Sequence, residues 1–226
     1  MKIVSTLIAT VIALSACGGG GDSSSKGSTS VASDTALLAY LDTTNVASTG
    51  FPWGGQFPGV VKRWELPIPV KTNGEARAAV AMDAIESKLG SKVFDRTSIA
   101  NTPNDTITRG VVFSQGTSFL PSGGNPQSFC ANVASGPNAG GYPPQFVKAP
   151  GTISTKLFVN LDNPQCVASP DIVIHELGHA LGLGSHFEGF GDSSGAISSN
   201  FWNLLATLYN NAAGTAKANI VVKRAG

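Results

Sequence analysis

The chain has 226 residues, and its 15 Lys+Arg stand against 14 Asp+Glu for a formal net charge of +1. A balance so close to neutral argues against nucleic acid or an anionic surface as the main partner. The length after the first few dozen residues is one domain's worth and enough to bury a real core, with no internal repeat.

Lys2 supplies a short basic n-region, and Ile3 to Leu14 is an apolar h-region of signal-peptide length, too short to span a bilayer. No later apolar run is long enough for a transmembrane helix. The segment ends Leu14-Ser15-Ala16-Cys17, which resembles a bacterial lipobox. The resemblance implies a lipoprotein signal peptide over 1–16, cleavage before Cys17 and lipidation of Cys17. It also implies an exported protein of the bacterial cell envelope, on the outer membrane or a periplasmic face, that meets the membrane through its lipid anchor only. A plain secretory signal with an unmodified Cys17 is the alternative. Residues 17–33 are Gly/Ser-rich and read as a flexible tether. Losing the signal removes Lys2, so 14 basic residues face 14 acidic ones in the mature chain. With Cys17 assigned to lipid, Cys130 and Cys166 remain as a pair in an oxidising compartment. A disulfide is the natural reading, with two free buried thiols as the other.

Residues 34–226 read as one domain. Its first part, 34–60, holds an apolar patch (Ala36 to Leu41) and a Gly/Pro/aromatic loop from Phe51 to Gly59, and is either a lead-in that wraps the domain or a removable pro-segment. Trp64, Leu66, Ile68 and Val70 alternate as in a strand, and Pro67 and Pro69 between them suggest an edge. Thr72-Asn-Gly-Glu75 reads as a capping box opening a helix that buries Ala78, Met82, Ile85 and Leu89 and stops at Gly90. Strands are expected over Ile107 to Phe113 and Thr152 to Leu161. Between them, residues 114–151 are rich in Gly, Pro, Ser and Asn. A loop that long is usually functional or stapled, here by Cys130 and Cys166.

The most informative stretch runs from Pro170 to Phe190 and contains all three histidines of the chain. Ser169 as N-cap, Pro170 at the first position and Asp171 in the first turn predict a helix that Gly182 and Gly184 end. His175, Glu176 and His179 form H-E-x-x-H. Residues four apart share one face of a helix, so the two imidazoles can hold one ion, and imidazole nitrogen suits Zn²⁺. Glu176 lies about 100° round the helix and is placed to take a proton from a water activated at the metal. Two histidines on an otherwise apolar helix also need partners, which a metal supplies. After a glycine-containing loop, Ile197 to Asn211 reads as an amphipathic helix with Phe201, Leu204, Leu205 and Leu208 on its apolar side.

Over residues 62–211 the order strand, long helix, strands, motif helix, glycine turn and final helix resembles the metzincin clan of zinc peptidases. His175 to Gly184, HELGHALGLG, is close to the matrixin and astacin forms of the motif. Cys166 shortly before it is similar to astacins, and Ser198 to Tyr209 is similar to the closing helix of matrixins. The resemblance implies an α+β fold with a mixed twisted sheet, a backing helix, an active-site helix and a C-terminal helix. It implies a monomeric zinc endopeptidase acting on peptide or protein, with Glu176 as general base and substrate adding to the strand near Thr152 to Leu161. The chain departs from the family twice. H-E-x-x-H-x-x-G-x-x-H places the third ligand at Ser185, whereas the histidine is His186, one residue later. His186 is the expected ligand, with Glu188 or Asp192 as substitutes. The methionine turn is also missing, since the only methionines are Met1 and Met82. Phe190, Ile197 or Leu208 would have to floor the site. Tyr209 does not match the spacing of the astacin tyrosine and is expected in the core with its hydroxyl near the surface. The reading from another class is a non-catalytic surface lipoprotein whose metal site is structural or a relic used for binding.

Overall fold

The computed structural model describes residues 30–47, 52–116, 118–192 and 195–226. The signal segment, Cys17 and most of the tether lie outside the described residues. In chain order these form α1 (Asp34–Leu41), a π-helical turn (Asp42–Val46), β1 (Ile68–Lys71), α2 (Ala76–Leu89), β2 (Phe94–Asp95), β3 (Gly110–Gln115) and β4 (Ala131–Ala134). They continue with β5 (Val147–Lys148), β6 (Thr152–Ile153), β7 (Lys156–Leu161), α3 (Pro170–Leu181) and α4 (Ser199–Asn210). The fold is α+β, with a five-stranded mixed sheet in the order β2-β1-β3-β7-β4. The pairs β1–β2, β1–β3 and β3–β7 are parallel, and only β4 runs antiparallel to its neighbour.

Both faces of this sheet are covered, which is why its central strands read as nearly continuous apolar runs. Val111, Phe113, Leu157, Val159 and Leu161 face the main core with α2, α3 and α4. The alternate residues Val112 and Phe158 join Ile107 in a second cluster on the opposite face. The stretch expected as one strand from Thr152 to Leu161 is broken at Ser154–Thr155, and β6 pairs with β5 in a small separate ribbon.

β1 is not an edge strand. It sits between β2 and β3, and Pro69 is tolerated because the β1–β3 register begins only at Val70 opposite Val111. Trp64 stands outside the strand, buried, with its indole Nε1 donating to Ala180 O at 2.8 Å. At α2 the capping residue is Glu75 itself, whose carboxylate accepts from Arg77 N at 2.9 Å. Thr72 cannot cap directly because Asn73 (φ 49°) and Gly74 (φ 84°) form a left-handed turn between them.

The amino-terminal segment is packed into the same core. Leu37, Leu41, Val46, Trp53, Val61 and Trp64 are all buried in the main cluster with α3 and α4. The last residues read as tether also dock, since Ala32 N donates to Asn200 Oδ1 at 2.8 Å. The 114–151 region contains β4 and β5, and Cys130 and Cys166 form a disulfide (Cα–Cα 5.2 Å) that ties the start of β4 to the segment before α3. Among the described residues no helix is long and apolar enough to cross a membrane.

Candidate metal centre

α3 begins as its sequence dictates: Ser169 Oγ accepts from Ile172 N, and Pro170 and Asp171 occupy the first turn. Its position is fixed from behind by Arg77 of α2. The guanidinium bonds Ala168 O at 2.7 Å and pairs with Glu75 and Asp162 at 2.7 Å each. Asp162 Oδ1 in turn accepts from Ala168 N at 2.8 Å. Val173, Ile174, Leu177, Ala180 and Leu181 are buried, so the helix is held on its apolar side and cannot rotate freely.

On that helix His175 and His179 meet His186 from the following loop. His186 Nε2 lies 3.2 Å from His175 Nε2 and 3.2 Å from His179 Nε2, and one ligand atom from each of the three falls within 4.8 Å of the others. Tetrahedral zinc with nitrogen at about 2.0–2.1 Å keeps its ligands about 3.3 Å apart, so the spacing fits. The far ring nitrogens of both helical histidines are engaged: His175 Nδ1 with Ala196 O at 2.9 Å and His179 Nδ1 with Leu183 O at 2.6 Å. A carbonyl accepts only from a protonated nitrogen, so these bonds fix the tautomer that leaves Nε2 as the lone-pair donor. Burial lowers all three imidazoles, His175 to about 4 and His179 well below its usual value; at His186 burial is opposed by Asp192. His186 is the most exposed of the three, so the cluster opens to solvent on that side.

Of the substitutes for His186, neither is needed. Glu188 accepts the Tyr40 hydroxyl at 2.8 Å, and Asp192 Oδ1 accepts from Gly189 N at 3.1 Å. Glu176 is 6% exposed, and burial alone raises its carboxyl to about 8. Among the described residues no donor hydrogen-bonds to it.

The floor of the site is Phe190. Its ring stacks on His175 (4.3 Å between centroids, 28°) and lies 4.7 Å from His179 and 5.7 Å from His186. Phe201 of α4 stacks beneath it at 5.1 Å. Gly178, the fourth residue of the motif, permits this: a Cβ there would sit 2.5 Å from Phe201 Cε2 and 3.2 Å from Phe190 Cε2. Gly191 is the second close approach, since a Cβ there would lie 2.5 Å from His175 Cε1 and 2.6 Å from His186 Nε2. The sequence offers a signal for this turn only in the glycines that bracket Phe190, at 189 and 191.

One expectation is corrected. β7 has β3 on one side and β4 on the other, so the strand expected to receive substrate has no open edge; β4, which packs against α3, is the terminal strand on that side. Tyr209 is half-buried against the main core. It donates to Leu181 O at 3.0 Å under the Arg63 guanidinium, and burial raises the phenol. Tyr142, from the long loop, similarly donates to His179 O at 3.0 Å.

No protein-family model matches this chain, and neither a curated protein nor a solved structure matches it.

Proposed function

We propose that the chain is a zinc-dependent endopeptidase of metzincin type, exported and anchored by lipid on Cys17. The observation that carries this reading is the convergence of three imidazoles beside Glu176, a carboxyl 6% exposed to which no donor among the described residues hydrogen-bonds. A site that only held a metal would not need this carboxyl. His175, His179 and His186 would hold the ion, which when bound acidifies water and polarises a carbonyl. Glu176 is adjacent in the helix to accept a proton and to return it to the leaving amine. An extended peptide would add along β4, the terminal strand beside α3. The mixed sheet, the backing helix α2, the motif helix α3 and the closing helix α4 occur in the order the metzincin resemblance implies.

The test is Glu176→Gln in the full chain, assayed for zinc content and for cleavage of a peptide library. Zinc should stay at one per chain while cleavage disappears. Equal proteolysis in wild type and variant would sink the mechanism. Absence of zinc from both would transfer the chain to the binding-protein reading.

A further inference from the structure

Resting on the metal-centre reading, a second question concerns what brings His186 into place. The loop from Gly182 to Ser185 is one residue longer than the metzincin spacing, and an added residue gives a loop more conformations to lose. In this chain the loop is bonded at successive residues to the π-helical turn Asp42–Val46, which lies about 140 positions earlier (|i−j| of 137 and 141 at the two side-chain bonds). Asn45 Nδ2 donates to Gly182 O at 2.8 Å. Gly184 N donates to Thr44 O at 2.9 Å. Thr44 Oγ1 donates to Ser185 O at 2.8 Å, on the residue immediately before the ligand. Thr44 and Asn45 are both fully buried, as a polar pair is only when its bonding is satisfied.

The turn is itself held rigidly. Thr44 O also accepts from Trp53 Nε1 at 2.8 Å, while Asn45 bonds Lys62 through both its amide and its oxygen, at 2.7 and 2.8 Å. Contact with the loop is close enough to exclude any side chain at Gly184, where a Cβ would lie 2.4 Å from Pro52 Cδ and 2.8 Å from Thr44 O. π-helical turns are rare and tend to occur where function needs a local departure from the α-helix.

We propose that Thr44 and Asn45 are positioning residues for the third metal ligand: they hold the lengthened loop in the one path that delivers His186 Nε2 to His175 and His179. Neither touches the ion. They fix the backbone on which the ligand is mounted, as outer partners of a metal site commonly do.

The experiment is zinc affinity of the full chain, by competition with a chromogenic chelator, together with melting of the metal-free protein. Thr44→Val removes the hydroxyl at constant shape, Thr44→Ala removes it without any risk of overpacking, and Thr44→Ser restores it. Both hydroxyl-free variants should bind zinc roughly tenfold or more weakly than wild type, the range seen when outer partners of a ligand are lost. Thr44→Ser should match wild type. In a His186→Ala background, Thr44→Val should have no further effect, because the ligand it positions is gone. Wild-type affinity in both hydroxyl-free variants overturns the proposal, as does an equal loss with and without His186. If wild type binds zinc and His186→Ala weakens it, either failure leaves the metal centre standing. A wild type that takes up no zinc overturns both.

Discussion

The closest approach of backbone to the metal face is at Gly191, and replacing it by alanine tests the site with little ambiguity. The new methyl carbon would lie 2.5 Å from His175 Cε1 and 2.6 Å from both Cδ2 and Nε2 of His186. Carbon contacts are comfortable near 3.5 Å, so the rings or the turn must separate by about 1 Å. Metal–ligand distances tolerate only about 0.2 Å. The displacement is therefore several times what a shared zinc allows, and affinity should fall at least about a hundredfold. The substitution also strains the backbone, because Gly191 has φ 68°, at about 1–2 kcal/mol for an L-residue. Gly90→Ala supplies the control: its φ is 65°, and a Cβ there has nothing within 4 Å. Gly90→Ala should melt about 2–8 °C lower in the metal-free form, given the usual 2–4 °C per kcal/mol for a domain of this size, and Gly191→Ala by at least as much because of its added contacts. Only Gly191→Ala should lose zinc. The assay is chelator competition beside thermal melting. A folded Gly191→Ala that binds zinc like Gly90→Ala would refute the assignment of the three imidazoles to one ion.

Two further outcomes concern charge away from the site. Glu75 is 4% exposed, and its carboxyl is held down to about 2, first by the Arg77 side chain and further by Gln115. A carboxylate with a depressed folded value stabilises above its unfolded value and loses that contribution as pH falls. Wild type should therefore lose on the order of 3 kcal/mol between about pH 4.5 and pH 2. Urea melts at pH 6 and pH 3 should show a smaller acid loss in Arg77→Met, and an unchanged loss would refute the pairing. Lys62 is fully buried, its ammonium bonded to Asn45 O, Val46 O and Val60 O, and burial pushes it from 10.5 down to about 8. Between those values the unfolded chain binds more protons than the folded one, so unfolding free energy should rise with pH from about 8 to 10.5. Titrating stability across that window in wild type and Lys62→Met should show the slope only in wild type.

The parts of this molecule legible in its sequence are those set by local rules. Capping at Ser169 and the four-residue spacing of His175 and His179 follow from helix geometry. The burial of Ala78, Met82, Ile85 and Leu89 follows from the 3.6 period, and the structure has all four inside. What escaped reading depends on partners far along the chain. β4 is four residues inside a Gly/Pro/Asn-rich loop and becomes a strand only by pairing with β7. β1 looked like an edge because Pro69 lacks a donor, but where the ladder begins is decided by β3. Thr44 and Asn45 are ordinary polar residues in sequence, and nothing local marks them as partners of Gly182 and Ser185.

That division of local and distant causes has a physical consequence for the site. His175 and His179 are held together by one helix, so their spacing survives as long as α3 does. His186 is held by bonds spanning |i−j| of 137 and 141, so its place depends on the amino-terminal segment remaining folded. Sub-global opening of a segment is cheaper than global unfolding. An opening that released Thr44 and Asn45 would therefore free the third imidazole while leaving the helical pair intact. A metal ion bound by all three would oppose that opening by mass action, because it would stabilise only the closed arrangement. A metal held by all three would thus be thermodynamically coupled to the amino-terminal segment, each raising the population in which the other is in place.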